Sequence, residues 1–558
     1  MTTHFSRALV GRSATAVALT AAVALVAGCS GATNKGAANG TTGTGTVQLD
    51  LVETTPKAAG GVDRINWLLE KEPDSFDLDR QASNQARTVM ANVCERLFQI
   101  GPDLTSAPHL AAKADRPDAK TLVFTLRDGV TFHDGSPMTA DDVVYSLKRH
   151  SAEGAEESDK FSNVKSITKT GELEVTVTFT APDALFAQSM AGDAGIVLNR
   201  AVIDKQGEDF GTPGHSDACS GPFTLKTWQS GTSVTIDRYA DYWDTKNRAL
   251  SKSVVFRWAT DSTLVNSFTT GEADGSYVTS STGPVVALRK QKGVDVYFGP
   301  STRAWSLIPT DRGPMKDKNI RKALSLALDR TGVARSGFSG VVEPWASPVG
   351  SGAWSYEKEA FQAAQKALAP SAPASPSADD IAQAKELVKK AGSAADQTIV
   401  MVSDGTQGRS VMANAVRAAG QGIGLKVKIM TVPPARFQEY YSDVDVRSSI
   451  DIIADDWYIS TADPLGFYDN ALTGSSDNWV KFSDPQYDAQ VKKALGTSDN
   501  AARAELAIDV QKRFMDNMVW IPVVQVPSTL ILSDKLTGAP AAGISPYSPW
   551  AVGLGRKG

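Results

Sequence analysis

Histidine and cysteine are scarce in this chain, with five histidines and three cysteines among 558 residues. Zinc clusters and iron–sulfur centres draw their ligands from those residue types, so neither is expected, and nothing in the sequence asks for another metal or cofactor. A basic surplus is also missing: 57 Lys and Arg stand against 62 Asp and Glu, for a net charge of −5. That balance argues against nucleic acid as a partner. Beyond the N-terminal segment no apolar run is long enough to span a bilayer, and no GK[ST] phosphate loop occurs. What is present is ordinary globular material, 42% hydrophobic and 21% charged. Its length exceeds what one hydrophobic core can use, so two or more domains are expected.

The first residues indicate the compartment. Arg7 and Arg12 precede the apolar run Ala14 to Ala27, which has the length of a signal h-region. Leu25-Val26-Ala27-Gly28-Cys29 follows and resembles a bacterial lipobox, with Cys29 as the lipid acceptor. Residues 1–28 read as a lipoprotein signal peptide, whose removal takes two arginines and no acid and lowers the net charge from −5 to −7. Residues 29–61, rich in Gly, Thr and Ala, read as a flexible tether. The expected location is the extracytoplasmic face of the cell membrane, lipid-anchored. In an exported protein the remaining cysteines, Cys94 and Cys219, favour a disulfide over two free thiols.

Along the body, Val62 to Leu69 alternates as a strand, and the pattern predicts a helix over 85–98. Leu122 to Leu126 reads as a strand, and Thr139 with Asp142 as a helix N-cap. The first half is strand-rich and mixed. In the second half Asp317 and Ser377 cap helices, then strands 398–402, 426–432 and 451–455 alternate with helices 411–419 and 435–441. Such alternation predicts a parallel, doubly wound α/β domain, with a helix over 501–518 and a strand over 523–532 closing the body. Ligands on open α/β sheets lie beyond the carboxyl ends of strands.

Three motif echoes carry no chemistry. Gly214-His215-Ser216-Asp217-Ala218 lacks the final glycine and preceding strand of a nucleophile elbow. Gly553 to Gly558 has the letters of a dinucleotide fingerprint but no helix to open. His133-Asp134 reads as a turn rather than a metal pair. Trp305, Trp345, Trp457 and Tyr458 are better candidates, since pockets combine aromatic walls with a few polar anchors.

Taken in order, several blocks resemble the extracytoplasmic solute-binding proteins of family 5, the dipeptide-, oligopeptide- and nickel-type binding components of ABC importers. They are Pro73 to Asp77, Asn92 to Leu97, the long block Phe124 to Val143, Ser220 to Phe223 with Trp228, Gly271 to Asp274, Ile320 to Arg330, and Ala462-Asp463-Pro464. The resemblance runs from about residue 65 to 535. It implies a two-lobed, periplasmic-binding-protein-like α/β fold of type II that closes on its ligand and does no chemistry. Lobe I would take residues 62–300, with an extra subdomain inserted at about 85–205; lobe II would take 301–516, and 517–558 would return to lobe I and form a C-terminal tail.

Peptide binders of the family place an Asp four residues before the Pro of the Asp-Pro block; here that residue is Ser460, with Asp455 and Asp456 nearby. The Arg-Pro-Tyr segment of dipeptide binders is replaced by Ser403-Asp404-Gly405, with Arg409 the nearest cation. An unpaired buried terminal charge is costly, so a strict dipeptide specialist does not fit. The expectation is a monomeric importer receptor for oligopeptides, partnered by permease subunits. A non-peptide solute such as an oligosaccharide or an opine-like compound is the alternative, and a secreted lipoprotein hydrolase the rival from another class. The expected ligand residues are Trp305, Trp345, Asp456, Trp457, Tyr458 and Asp463 from lobe II, with Glu72 and Ser75 from lobe I.

Overall fold

The computed structural model describes residues 49–558 apart from positions 81, 82, 216, 280, 281, 458 and 460. The signal segment, Cys29, Tyr458 and Ser460 therefore lie outside the described residues. Among the described residues, three larger sheets organise the chain, beside two small two-stranded ones. The largest has seven strands in the spatial order Val294–Gly299, Ser528–Ser533, Gly275–Val278, Ile65–Leu69, Ser253–Trp258, Ser233–Arg238 and Phe223–Gln229. Its central strand Ile65–Leu69 runs parallel to both neighbours and is apolar almost throughout, as burial on two faces demands. Trp67 is fully buried there, its ring 4.1 Å from that of Trp550 and 5.2 Å from that of Tyr277. A Cβ at Gly275 would fall 2.2 Å from that indole, so only glycine fits beside it.

The second sheet has six strands in the order Glu343–Pro344, Ile521–Gln525, Ala304–Pro309, Ile452–Trp457, Thr398–Ser403 and Lys426–Thr431. Only the last three are mutually parallel; the pairings on the other side are antiparallel. The expectation of a parallel, doubly wound sheet thus holds for half of it. The remaining strands come from distant segments, which local alternation does not register. A third, four-stranded antiparallel sheet (Ala111–Asp118, Thr121–Leu126, Glu174–Phe179, Val164–Gly171) builds the inserted subdomain.

Several boundaries differ from expectation. The helix expected over 85–98 is Asn84–Met90. Beyond it the backbone is recruited by tertiary partners: the Phe223 and Gly221 N–H groups donate to the Asn92 and Val93 carbonyls, at 3.1 and 2.8 Å. This helix packs in the core of the large sheet, whereas the subdomain core runs from Leu97 to Val197, so the insertion begins later than residue 85. Residues 49–61 are not free tether. Leu51 bridges Phe298, Thr54 bridges Pro540 and Gly60 bridges Arg556, and buried Thr55 donates to the Ala539 carbonyl at 2.9 Å. The one strand expected over 523–532 is two, Ile521–Gln525 in the second sheet and Ser528–Ser533 in the first. The chain therefore returns to lobe I at Val526–Pro527 rather than near residue 517, because Ile521–Gln525 fills a slot in the second sheet.

Two crossings connect the lobes, residues 300–303 and 526–527. They run side by side: the Val526 N–H donates to the Arg303 carbonyl at 3.1 Å, and the Ser301 hydroxyl donates to the Val526 carbonyl. Pro527 has no N–H to offer a ladder, which suits a break between strands. The lobes also touch at the far rim, where the Ala184 N–H donates to the Leu495 carbonyl at 2.7 Å. The C-terminal segment is built into lobe I. Trp550, Ala551 and Leu554 are buried, and the Trp550 indole N–H donates to the Thr88 carbonyl at 2.8 Å. Cys94 and Cys219 are joined in a disulfide, their Cα atoms 4.7 Å apart.

Candidate ligand-binding cleft

Three adjoining cavities run between the lobes. One of about 550 Å³ lies beside the crossings, one of about 310 Å³ occupies the middle, and one of about 400 Å³ reaches under the subdomain. Each is within the size range of small-molecule sites. The first two share Val278, Thr279, Arg303, Asp456 and Pro527; the last two share Ile459 and Tyr547.

Arg303, on the first crossing, organises the centre. Its Nε donates to Asp456 Oδ2 at 2.8 Å and its Nη1 to the Thr279 carbonyl at 2.9 Å. Asp456 belongs to a lobe II strand and Thr279 follows a lobe I strand, so one guanidinium ties both lobes to the crossing. Asp455 and Asp456 are adjacent on that strand and project to opposite faces. Asp455 instead accepts from Arg409 Nη2 at 2.5 Å and from the Tyr441 hydroxyl. Burial pushes the Asp455 carboxyl above its ordinary pKa, against the pull of Arg409. Arg409 is itself held by Asp404 at 2.8 Å, and its guanidinium lies 4.2 Å from the Phe437 ring and 5.3 Å from that of Trp305. All three of its donor nitrogens are engaged within lobe II, the Nε by the Ala454 carbonyl at 3.1 Å, so it is not a spare cation for a ligand carboxylate.

Of the eight ligand residues expected, Trp305, Asp456 and Trp457 line the cleft. Four do not, and each has a structural occupation. Asp463 is wholly buried, accepting from Arg503 Nε at 3.1 Å and from the Leu465 N–H at 2.9 Å. Trp345 donates its indole N–H to the Val349 carbonyl at 2.8 Å and stacks on Trp354. Glu72 accepts from the Trp228 indole at 3.1 Å and the Gly231 N–H at 3.0 Å, within lobe I. Ser75 accepts from the Asp77 N–H at 3.0 Å and closes a turn. The fold also brings to the cleft residues that no local pattern marked: Arg303 and Thr279 from connections, and Gly543, Ser545, Pro546 and Tyr547 from the C-terminal segment. Their only shared signal is convergence in space.

A cleft between two lobes joined by paired strand crossings is the architecture of a hinged receptor. The sequence agrees: residues 105–479 match the model for the bacterial extracellular solute-binding proteins, family 5. The chain belongs to that family. This solute-binding protein is 24% identical over 430 residues to the probable D,D-dipeptide-binding periplasmic protein DdpA of Escherichia coli, covering 75% of this chain and 79% of the relative. It is 24% identical over 483 residues to the periplasmic oligopeptide-binding protein OppA of the same organism, covering 81% and 85%. The crystal structure of the ABC transporter substrate-binding protein CtaP of Listeria monocytogenes superposes with a TM-score of 0.74 at 20% identity, over 89% of this chain and 99% of that one. The family is extracytoplasmic and its members are binding proteins for transport rather than enzymes. The cleft therefore has to hold and release a solute, not to transform it. Among the described residues, no helix is long and apolar enough to cross a membrane.

Proposed function

We propose that this protein captures peptides outside the cell, held to the membrane through lipidated Cys29, and presents them in the closed form to the permease of an ABC importer. The observation that carries the reading is the interlobe cleft with Arg303 and Asp456 at its centre, in a chain whose relatives include proteins named for dipeptides and oligopeptides. A ligand touching both lobes stabilises the closed arrangement by its differential affinity. Trp305 and Trp457 supply flat walls, and the Arg303–Asp456 pair, already bonded to each other, leaves its remaining N–H groups and carboxylate lone pairs to a peptide backbone. The proposed receptor works as a monomer, with one complete cleft per chain.

The test is thermal unfolding of the chain from residue 30 onward, with di-, tri- and longer peptide pools, together with mass spectrometry of ligand carried through purification. Ligand at about 100 times its Kd stabilises by roughly 2.7 kcal/mol, a readily measured rise in midpoint. No stabilisation by any pool, with a non-peptide solute in the spectrum, would refute the peptide reading. Metabolic labelling with a palmitate analogue, compared with Cys29→Ser, tests the anchor.

A further inference from the structure

We propose that the cavity under the subdomain receives a cationic group of the ligand, a guanidinium or an ammonium, between Glu157 of lobe I and Asp469 of lobe II. The inference rests on the reading of the cleft as the ligand site and adds a substrate class to it, peptides with a basic side chain.

The lining is unbalanced. Among the described residues it carries Glu156, Glu157, Asp159, Asp183, Asp469 and Asp477 against Arg87 and Lys160. Both cations are engaged by carboxylates: Arg87 Nε bonds Asp193 at 2.6 Å, and Lys160 Nζ bonds Asp159 at 2.7 Å. Glu157 is 8% exposed, and its contact with Arg87 is a long one of 3.7 Å. Asp469 lines the same cavity from the opposite lobe, and its Oδ1 is buried without a hydrogen-bond partner. A buried carboxylate oxygen with no donor is costly, and an entering N–H donor would relieve it.

The environment of the two carboxyls agrees. Burial and then the Asp193 charge push Glu157 up to about 7, with Lys160 and Arg87 opposing. Burial pushes Asp469 up to about 6, with Lys160 again opposing. The resident cations leave Asp469 Oδ1 without a donor and reach Glu157 only at 3.7 Å. The walls suit a flat cation: Trp457, Phe186 and Tyr547 face the same space, and guanidinium groups stack on aromatic faces. Glu157 stands at the turn Ser158–Phe161 of the subdomain, and Asp469 follows the lobe II helix Leu465–Tyr468. A cation between them would join the lobes at the rim opposite the crossings, coupling recognition of charge to closure.

The test compares one peptide series bearing arginine or citrulline, its neutral near-isostere, at each position, by calorimetry on the wild type, Glu157→Gln and Asp469→Asn. The expected result is a position at which arginine binds about tenfold or more tightly than citrulline. Asp469→Asn and Glu157→Gln should each reduce that preference several-fold, with arginine-peptide affinity falling more than citrulline-peptide affinity, and an unaltered circular-dichroism spectrum shows that the variants fold. Equal binding of arginine and citrulline peptides at every position, or a preference untouched in both variants, would overturn the inference and leave the peptide reading standing. If no peptide binds, the peptide reading fails, and agmatine, a guanidinium without a peptide, decides the cavity alone. Thermal stabilisation by agmatine that is lost in Asp469→Asn supports the site, and its absence in the wild type overturns it.

Discussion

Replacing Cys94 and Cys219 together by alanine tests how lobe I is held around its insertion. The bridge spans a sequence separation of 125 residues, which includes the whole subdomain. The chain-entropy relation for a loop of that length gives about 4.9 kcal/mol at 25 °C, lost when the unfolded chain is freed. The folded arrangement should survive, because neighbouring Glu95 still draws the same segments together. Its carboxylate accepts from the Tyr242 hydroxyl at 2.6 Å, the Ser220 hydroxyl at 2.8 Å and the Trp243 indole at 2.9 Å, and it bonds His109 at 2.8 Å. The expected cost is therefore about 3–5 kcal/mol, acting through the unfolded state. A chain with two lobes need not unfold in one step, so a single melting midpoint is the wrong readout. Native-state hydrogen exchange resolves the lobes. Protection of strands Thr121–Leu126 and Ile65–Leu69 should fall by that amount, and strand Thr398–Ser403 of lobe II should keep its own. Ligand affinity should change less than twofold, since neither cysteine lines the cleft cavities. A loss below about 1 kcal/mol in lobe I, or an equal loss in both lobes, would refute this account.

Three further expectations separate structural from binding roles. Asp463→Asn should destabilise lobe II by about 3–5 kcal/mol by stranding buried Arg503, with ligand affinity unchanged in calorimetry; a large affinity loss at intact stability would restore Asp463 to the site. Trp457→Ala should weaken peptide binding by about 1–3 kcal/mol, as for a central aromatic anchor, and an unaltered Kd would remove it. His150 is buried with its ring nitrogens 2.6 Å from Asp79 Oδ1 and 2.8 Å from the Ile196 carbonyl. Burial alone would lower its pKa, but the charge and hydrogen bond of Asp79 outweigh that and raise it above 6.5. Its contribution to stability is then complete below about pH 6.5 and is lost as pH rises through the raised value. Urea midpoints of the wild type should fall across that window, and those of His150→Gln should fall less; parallel slopes would contradict the assignment.

Where a signal was local, it was legible. Thr139 with Asp142 and Ser377 with Asp380 form full capping boxes, and Asp317 caps its helix, because each motif involves residues within three positions of one another. The strands 398–403, 426–431 and 452–457 follow from apolar patterning on the same short scale. The cleft was legible only in part. Asp456 and Trp457 line it from the carboxyl end of strand Ile452–Trp457, whereas Trp305 lies at the amino end of the antiparallel strand Ala304–Pro309 and reaches it as the register partner of Asp456. Asp463 and Glu72 misled, since an acidic residue in a loop motif looks the same whether it meets a ligand or an arginine 40 residues later.

Composition, periodicity and capping thus determined the mixed α/β class, the order of many elements and the family blocks, since these depend on neighbours along the chain. Tertiary structure alone decided where the lobes exchange strands, which carboxylates are already paired, and that Arg303, Thr279 and Tyr547 share one cleft. Those outcomes depend on which distant partners satisfy a buried charge or an open sheet edge. The partners are separated by tens to hundreds of residues, and at that range sequence pattern carries no phase.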